Sequence, residues 1–377
     1  MAETGRVALF RGAGTPFELS DLPVPDPEPG AIIARLEYTS ICGSDAHYWR
    51  GEDPVVEGLA RQHGLVLGHE TVGRVHALGD GVIEDALGHP LAEGDPVVFA
   101  YFRPCWDCRT CRLGRPHTCQ TAMLTLLRLP TEPPHFTGAF ADFYHLPAGA
   151  WVLRLPDGME PADAIGANCA VAQTTFALRR AGLQPDERVV IQGAGGLGLY
   201  AVAAARRMGA ETIVAVDAVA DRLDAASRLG ATHVLDVSEV TDSRERVERV
   251  REMTGGGADV VMEVAGVPGV VAEGILMLER GGRYLELGQI VRGGDRIELP
   301  ALALLTRNLS LTGVALYDPR VLEEVVDMLA ELRGDPTLER LTRGRAYPLE
   351  QLDRAFEELA GHSDAVRPVI QLSGGAA

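Results

Sequence analysis

The stretch RVVIQGAGGLG, Arg188 to Gly198, decides the fold. Its first half is a short apolar, β-branched run, the pattern of a buried strand. It breaks without a linker into Gly193, Gly195, Gly196, Leu197 and Gly198, and the alanine-rich LYAVAAARRMGA that follows has the texture of a helix. A G-x-G-x-x-G between strand and helix allows a tight turn and close approach of a pyrophosphate, whose charge then meets the helix N-terminus. The next strand, TIVAVD, ends at Asp217, about 20 residues on, where a carboxylate accepts ribose hydroxyls and repels a 2′-phosphate; NAD is therefore expected over NADP. The same glycines also suit an ordinary strand-to-helix turn, and Asp217 a cap for the helix DAVADRL. Arg222 suits either the adenosine side of a nucleotide or a solvated helix face.

Outward from this loop, apolar strands alternate with helices: TIVAVD, ADRLDAASRLGA, HVLDV. Such alternation predicts βαβ units, and hence an α/β fold with a doubly wound parallel sheet, from about residue 170. Earlier residues are rich in Gly, Pro and Val with short runs such as AIIARLEYTS and DPVVFAYF, which predicts an irregular β domain. Segments 50–66 and 121–137 read as loops that wall a pocket. Beyond GGRYLELG and LSLTGVAL come two amphipathic segments, VLEEVVDMLAEL and EQLDRAFEELAG, then a last strand RPVIQL and a tail, SGGAA, expected to fray.

Four of the six cysteines lie in CWDCRTCRLGRPHTC, as Cys105, Cys108, Cys111 and Cys119. With no secretory leader ahead of them, C-x2-C-x2-C-x7-C reads as a metal site rather than a disulfide frame. Four thiolates close a tetrahedral zinc sphere and leave no position for substrate, so this site is structural. An iron–sulfur cluster or a set of four unpaired thiols are the alternatives. Cys42 and Cys169 remain.

A formal charge of −18 disfavours nucleic-acid and anionic-membrane partners, and no apolar run approaches the length of a membrane helix. The expected location is the cytoplasm. All 35 basic residues are arginine, which excludes Schiff-base, P-loop and Tyr/Lys dehydrogenase chemistry.

The string LGHETVGRVHALG, with Gly68, His69, Glu70, Gly73 and Gly79, resembles the G-H-E-x-x-G signature of zinc-containing medium-chain alcohol dehydrogenases. The four-cysteine lobe and the later glycine loop fall in that family's order. The resemblance implies a GroES-like irregular β catalytic domain at 1–169 and 314–377, with a structural-zinc lobe at about 103–121, and an NAD-binding Rossmann domain at 170–313. It further implies two Zn2+ per chain, one of them catalytic and held by Cys42, His69 and Cys169. Asp45 orients the His69 ring, Glu70 stands behind the metal or binds it transiently, and Ser44 and His47 carry the alcohol proton to solvent. Tyr48 and Trp49 line the pocket or pack the domain.

One imidazole and two thiolates leave a fourth position for substrate, as a catalytic zinc site requires. In the polyol dehydrogenases of the family a glutamate replaces the third ligand, whereas Cys169 resembles the alcohol dehydrogenases proper; a buried apolar cysteine is its plain reading. The implied function is interconversion of a small alcohol, expected to be secondary, with its aldehyde or ketone by hydride transfer to NAD, in a homodimer or homotetramer. A polyol dehydrogenase, a zinc-free quinone or enone reductase of the same superfamily, and a non-catalytic NAD-binding scaffold are the competing readings.

Overall fold

In the computed structural model, residues 3–288, 297–361 and 367–372 are described. The tail SGGAA and His362 lie outside these residues. The chain divides into two units, one formed by the sequence up to Ala172 together with the part from Asp318 onward, the other by Gln173–Tyr317.

The first unit opens with the antiparallel strands β1 (Thr4–Phe10) and β2 (Glu18–Pro23), followed by β3 (Ile32–Ser40). Two helices come next, α1 (Gly43–Trp49) and α2 (Pro54–His63), then β4 (Leu65–Val66), β5 (Glu70–Leu78) and β6 (Pro96–Phe99). A one-turn helix α3 (Arg109–Arg112) sits in the cysteine lobe, ahead of β7 (Phe143–Leu146) and β8 (Val152–Arg154). Segment 50–66 is therefore not a loop. Asp53 accepts from the Val55 and Val56 amides and Pro54 occupies the first helical position, so this stretch carries a complete helix start that its glycines at each end obscure.

Beyond α4 (Ala172–Ala181), the second unit alternates β9 (Arg188–Gln192), α5 (Gly196–Arg207), β10 (Thr212–Asp217), α6 (Ala220–Leu229), β11 (His233–Asp236), α7 (Ser243–Met253), β12 (Ala258–Glu263), α8 (Pro268–Met277), β13 (Leu278–Glu286), α9 (Ala301–Arg307) and β14 (Ser310–Gly313). Its six strands are parallel in the order β11-β10-β9-β12-β13-β14. Counted from β9 this is 3-2-1-4-5-6, the Rossmann order, with the direction of winding reversing between β9 and β12. Val189, Val190 and Ile191 are fully buried, as a central strand covered on both faces requires.

The chain then rejoins the first unit through α10 (Val321–Glu331), α11 (Pro336–Thr342), β15 (Arg345–Pro348), α12 (Leu352–Gly361) and β16 (Pro368–Gln371). Leu322, Val325, Val326 and Leu329 give α10 its buried stripe. β16 pairs antiparallel with β3, so the last described strand completes the sheet order β15-β16-β3-β5-β6-β8, with β7 also on β3. Trp49 stacks on Phe356 of α12 at 5.5 Å and Tyr48 packs on the same core, which makes both packing residues of this unit. No helix among the described residues is long and apolar enough to cross a membrane.

Candidate functional site

Three donors from distant parts of the first unit converge. Cys42 caps the N-terminus of α1, His69 precedes β5, and Cys169 lies in a single π-helical turn over Ala167–Val171, entered through a left-handed Gly166. Their ligand atoms all lie within 4.8 Å of one another. Cys42 Sγ is 3.8 Å from Cys169 Sγ, which is 3.3 Å from His69 Nε2.

Asp45 organises two sides of this cluster. One oxygen accepts from the Cys42 amide at 3.0 Å, capping α1; the other accepts from the Gly68 amide and lies 3.5 Å from His69 Nδ1. Gly68 sits at φ +86°, where a side chain would be strained and would press on Phe140 at 3.1 Å. The glycine of the G-H-E string thus lets the chain turn beneath the carboxylate that addresses the histidine. Burial opposes charge on His69, but Asp45 and then Cys42 outweigh it and raise its pKa well above the ordinary value. A hydrogen bond from Cys169 holds Cys42 well below the usual thiol range, and the same bond with burial pushes Cys169 well above it.

Two partners of the cluster have no signature in the sequence. Asn168 accepts from the Thr71 amide and donates to the His69 carbonyl at 3.0 Å, tying the π-turn to the histidine's backbone. Arg367, next to β16, pairs with Glu70 Oε1 at 2.6 Å, and Ser40 donates to the same oxygen. Glu70 is fully buried and its Oε2 has no hydrogen-bond partner, while its charge raises Cys169. Two sulfurs and an imidazole within 4.8 Å of one another are a donor set that suits a cation, and the unpartnered Glu70 oxygen is a buried carboxylate outside that set. Ser44 hydrogen-bonds Cys42, and His47 Nδ1 lies 2.5 Å from Glu52 Oε2, which leaves Nε2 as the ring's other proton site.

The other four cysteines form a second cluster whose sulfurs are also within 4.8 Å of one another. None of the six is in a disulfide. Backbone amides of Cys105 and Cys108 point at Cys119 and Cys105 sulfurs at 3.3 and 3.2 Å, and the Thr110 and Thr121 hydroxyls lie 3.2 and 3.3 Å from Cys108 and Cys119. The Thr110 contact leads in bringing Cys108 down to about 6, whereas burial pushes Cys111 up to about 12. A bound cation resolves that split by favouring the thiolate at every position.

In the second unit, α5 starts at the glycine loop. A Cβ on Gly198 would stand 1.8 Å from the Gly193 carbonyl, and Gly193 itself has φ +98°, so neither accepts a side chain. At Gly195 a Cβ would meet nothing within 4 Å: the space over the helix start is open for a phosphate group. Gly196 and Leu197 form the helix's first turn. Asp217 accepts from the Ala194 amide at 2.7 Å and from the Ala218 and Val219 amides, coupling the glycine loop to the end of β10. Arg222 lies 3.9 Å from the same carboxylate.

Residues 28–157 match the alcohol dehydrogenase GroES-like domain family, and residues 196–331 match the zinc-binding dehydrogenase family. The chain is similar to 5-exo-hydroxycamphor dehydrogenase of Pseudomonas putida, at 32% identity over 94% of this chain and 95% of the relative. It is also similar to probable D-xylulose reductase A of Aspergillus clavatus, at 31% identity over 91% and 90% of the two chains. Among solved structures, the alcohol dehydrogenase of Thermotoga maritima superposes with a TM-score of 0.87 at 26% identity, covering 99% of this chain and all of that one.

Proposed function

The chain belongs to the zinc-containing medium-chain alcohol dehydrogenase family, whose members are oxidoreductases acting on CH–OH donors, and we propose that it interconverts a secondary alcohol and its ketone with NAD, using two zinc ions per chain. The observation that carries this reading is the convergence of Cys42, His69 and Cys169, a three-donor set that leaves one position of a tetrahedral zinc for a fourth ligand. Zinc held by that set supplies a Lewis acid that lowers the pKa of an alcohol oxygen, and zinc held by Cys105, Cys108, Cys111 and Cys119 supplies folding energy.

The chain's own residues do the rest. Asp45 fixes the His69 ring with Nε2 toward the sulfurs. Ser44 passes the alcohol proton toward His47, whose ring, anchored at Nδ1 by Glu52 and partly exposed, hands it to solvent. Glu70, held by Arg367, places negative charge behind the donor set. In the second unit the α5 amides take the pyrophosphate and Asp217 the adenosine ribose of the nicotinamide cofactor.

The named substrate of the hydroxycamphor relative is itself a secondary alcohol, which supports a secondary rather than a primary one here. The D-xylulose reductase relatives favour a second reading, a polyol substrate. We place the enzyme in the cytoplasm as a homodimer or homotetramer. The edge strand β14, with exposed Leu311 and the exposed Leu302 and Leu305 of α9 before it, supports self-association.

The test is NAD reduction screened over secondary, cyclic, aromatic and polyhydroxy alcohols, alongside zinc content. Turnover of secondary or cyclic alcohols with two zincs per chain is expected. One zinc per chain with reduction of quinones or enones instead, or no turnover at all, overturns the reading.

A further inference from the structure

A pair of carboxyl groups at the carboxyl ends of β12 and β13 takes no part in the chemistry above. Glu263 and Glu286 are the last residues of these strands and lie opposite each other in register. Glu263 is fully buried. Its Oε1 accepts from the amides of Ala265 and Gly266 at 2.6 and 2.7 Å, folding the turn after β12 back on itself. Its Oε2 is buried without a hydrogen-bond partner, and a Cβ on Gly288 would stand 2.3 Å from it, so that glycine makes room for the carboxyl.

The turn so held lies at the point where the sheet's winding reverses. The Val264 amide donates to Gln192 O at the end of β9, and a Cβ on Gly193 would stand 2.8 Å from Ala265 Cα and N. Turn and glycine loop are thus packed backbone to backbone. Ala265, Gly266 and Val267 are exposed, the last being an apolar side chain at the carboxyl edge of the sheet, where a dinucleotide binds in this fold.

We propose that Glu263 and Glu286 share one proton, and that this shared proton makes Glu263 a positioning residue which holds the 264–267 turn against the glycine loop in its cofactor-binding shape. With Glu263 fully buried and Glu286 half-buried opposite it, two ionised carboxylates repel, so loss of the proton drives them apart and draws the turn with them. Burial first, then the Glu286 charge, push Glu263 up to about 8, which places that loss just above neutrality. The titratable groups facing Glu263 from β13 are Glu286 and Tyr284, and burial followed by the two carboxylates raises Tyr284 above its ordinary range. From β9 the pair faces the neutral Gln192 amide, which is engaged by the Tyr284 hydroxyl and the Val270 carbonyl; Glu273 of α8 is occupied with Arg246.

The inference rests on the reading of the glycine loop as a nicotinamide dinucleotide site, and the test separates the two. NADH and NADPH binding to the zinc-loaded full chain is measured by fluorescence at pH about 6.5 and about 9 for the wild type, Glu263→Gln and Glu286→Gln. In Glu263→Gln the amide is a permanent donor toward Glu286 and keeps an acceptor for the turn amides; Glu286→Gln supplies a donor from the other side. The wild type is expected to lose about fivefold or more in NADH affinity over that interval and either variant less than about twofold. Other groups that titrate on binding are common to all three proteins and cancel in the comparison. Parallel profiles in wild type and both variants overturn the shared-proton pair while leaving the dinucleotide site intact. Failure of the wild type to bind either cofactor at either pH overturns the dinucleotide reading and the inference with it.

Discussion

Oδ1 of Asp45 lies 3.5 Å from Nδ1 of His69, and the other Asp45 oxygen accepts the amide of Cys42, so one carboxylate addresses two of the three converging donors. Asp45→Asn removes the charge behind the ring and keeps a single acceptor oxygen for the two amides of Cys42 and Gly68, so some loss of stability at the start of α1 or the Gly68 turn is expected beside the effect on the metal site. Zinc affinity and turnover should fall about 10- to 100-fold, the usual cost of losing a partner behind a zinc-bound histidine. Chelator competition and kcat measure this. Unchanged zinc affinity would mean that Asp45 serves only as a cap.

The metal-free cluster carries protons that a cation must displace. Asp45 and Cys42 outweigh burial to raise His69, and the Cys42 hydrogen bond with burial raises Cys169, so both are protonated near neutrality. Zinc binds the deprotonated ligands, and lowering the pH therefore weakens binding. Uptake at this site should release about two protons per zinc at neutral pH, with affinity rising steeply as pH increases. Indicator-dye titration of apoprotein in weak buffer, with the four-cysteine site kept filled, checks the count.

At the other cluster, Cys111→Ser should act on stability and leave the chemistry of folded molecules alone, since four sulfurs leave no position for substrate. A loss of even about 3 kcal/mol of site energy lowers Tm by on the order of 10 °C in a domain of this size. Thermal melting with zinc analysis is the measurement. An unchanged Tm with an altered pH–rate profile would reverse the assignment of the two clusters.

The glycine loop, the parallel sheet and the four-cysteine cluster were legible in the sequence because their determinants are local, a fixed glycine spacing after a strand or cysteines a few residues apart, whereas the grouping of Cys42 and His69 with Cys169, 127 residues from Cys42, followed only from the family resemblance. What escaped the sequence depends on contacts made across long stretches of chain. Arg367 meets Glu70 only because β16 pairs with β3, which no pattern near either residue announces. Asn168 reads as a neighbour of Cys169 and becomes a tether of His69 only in the folded sheet. Thr110 and Thr121 had a usable signal, a hydroxyl two residues after a cysteine, which places it against that sulfur. In segment 50–66 the glycines at its ends mask a capped helix, whose sequence mark is Asp53 followed by Pro54.

Asp217, to which the proposed function gives the choice of cofactor, has surroundings richer than its place at a strand end suggests. Its carboxylate ties down the amides of Ala194, Ala218 and Val219 and lies 3.9 Å from Arg222. It can accept ribose hydroxyls, and it repels a 2′-phosphate while keeping the nearest guanidinium engaged. The wild type should therefore prefer NAD by about tenfold or more in kcat/KM, equivalent to about 1.4 kcal/mol. Asp217→Ala removes the ribose acceptor, loosens the glycine loop and releases Arg222 toward the space a 2′-phosphate would fill. NAD should lose more than NADP gains, because a single arginine on a loosened loop does not make a complete phosphate site. The ratio of kcat/KM for the two cofactors should consequently narrow, mainly through a higher KM for NAD. Equal use of both cofactors by the wild type, or an unchanged ratio in the variant, would reduce Asp217 to a backbone cap and leave the preference to other residues.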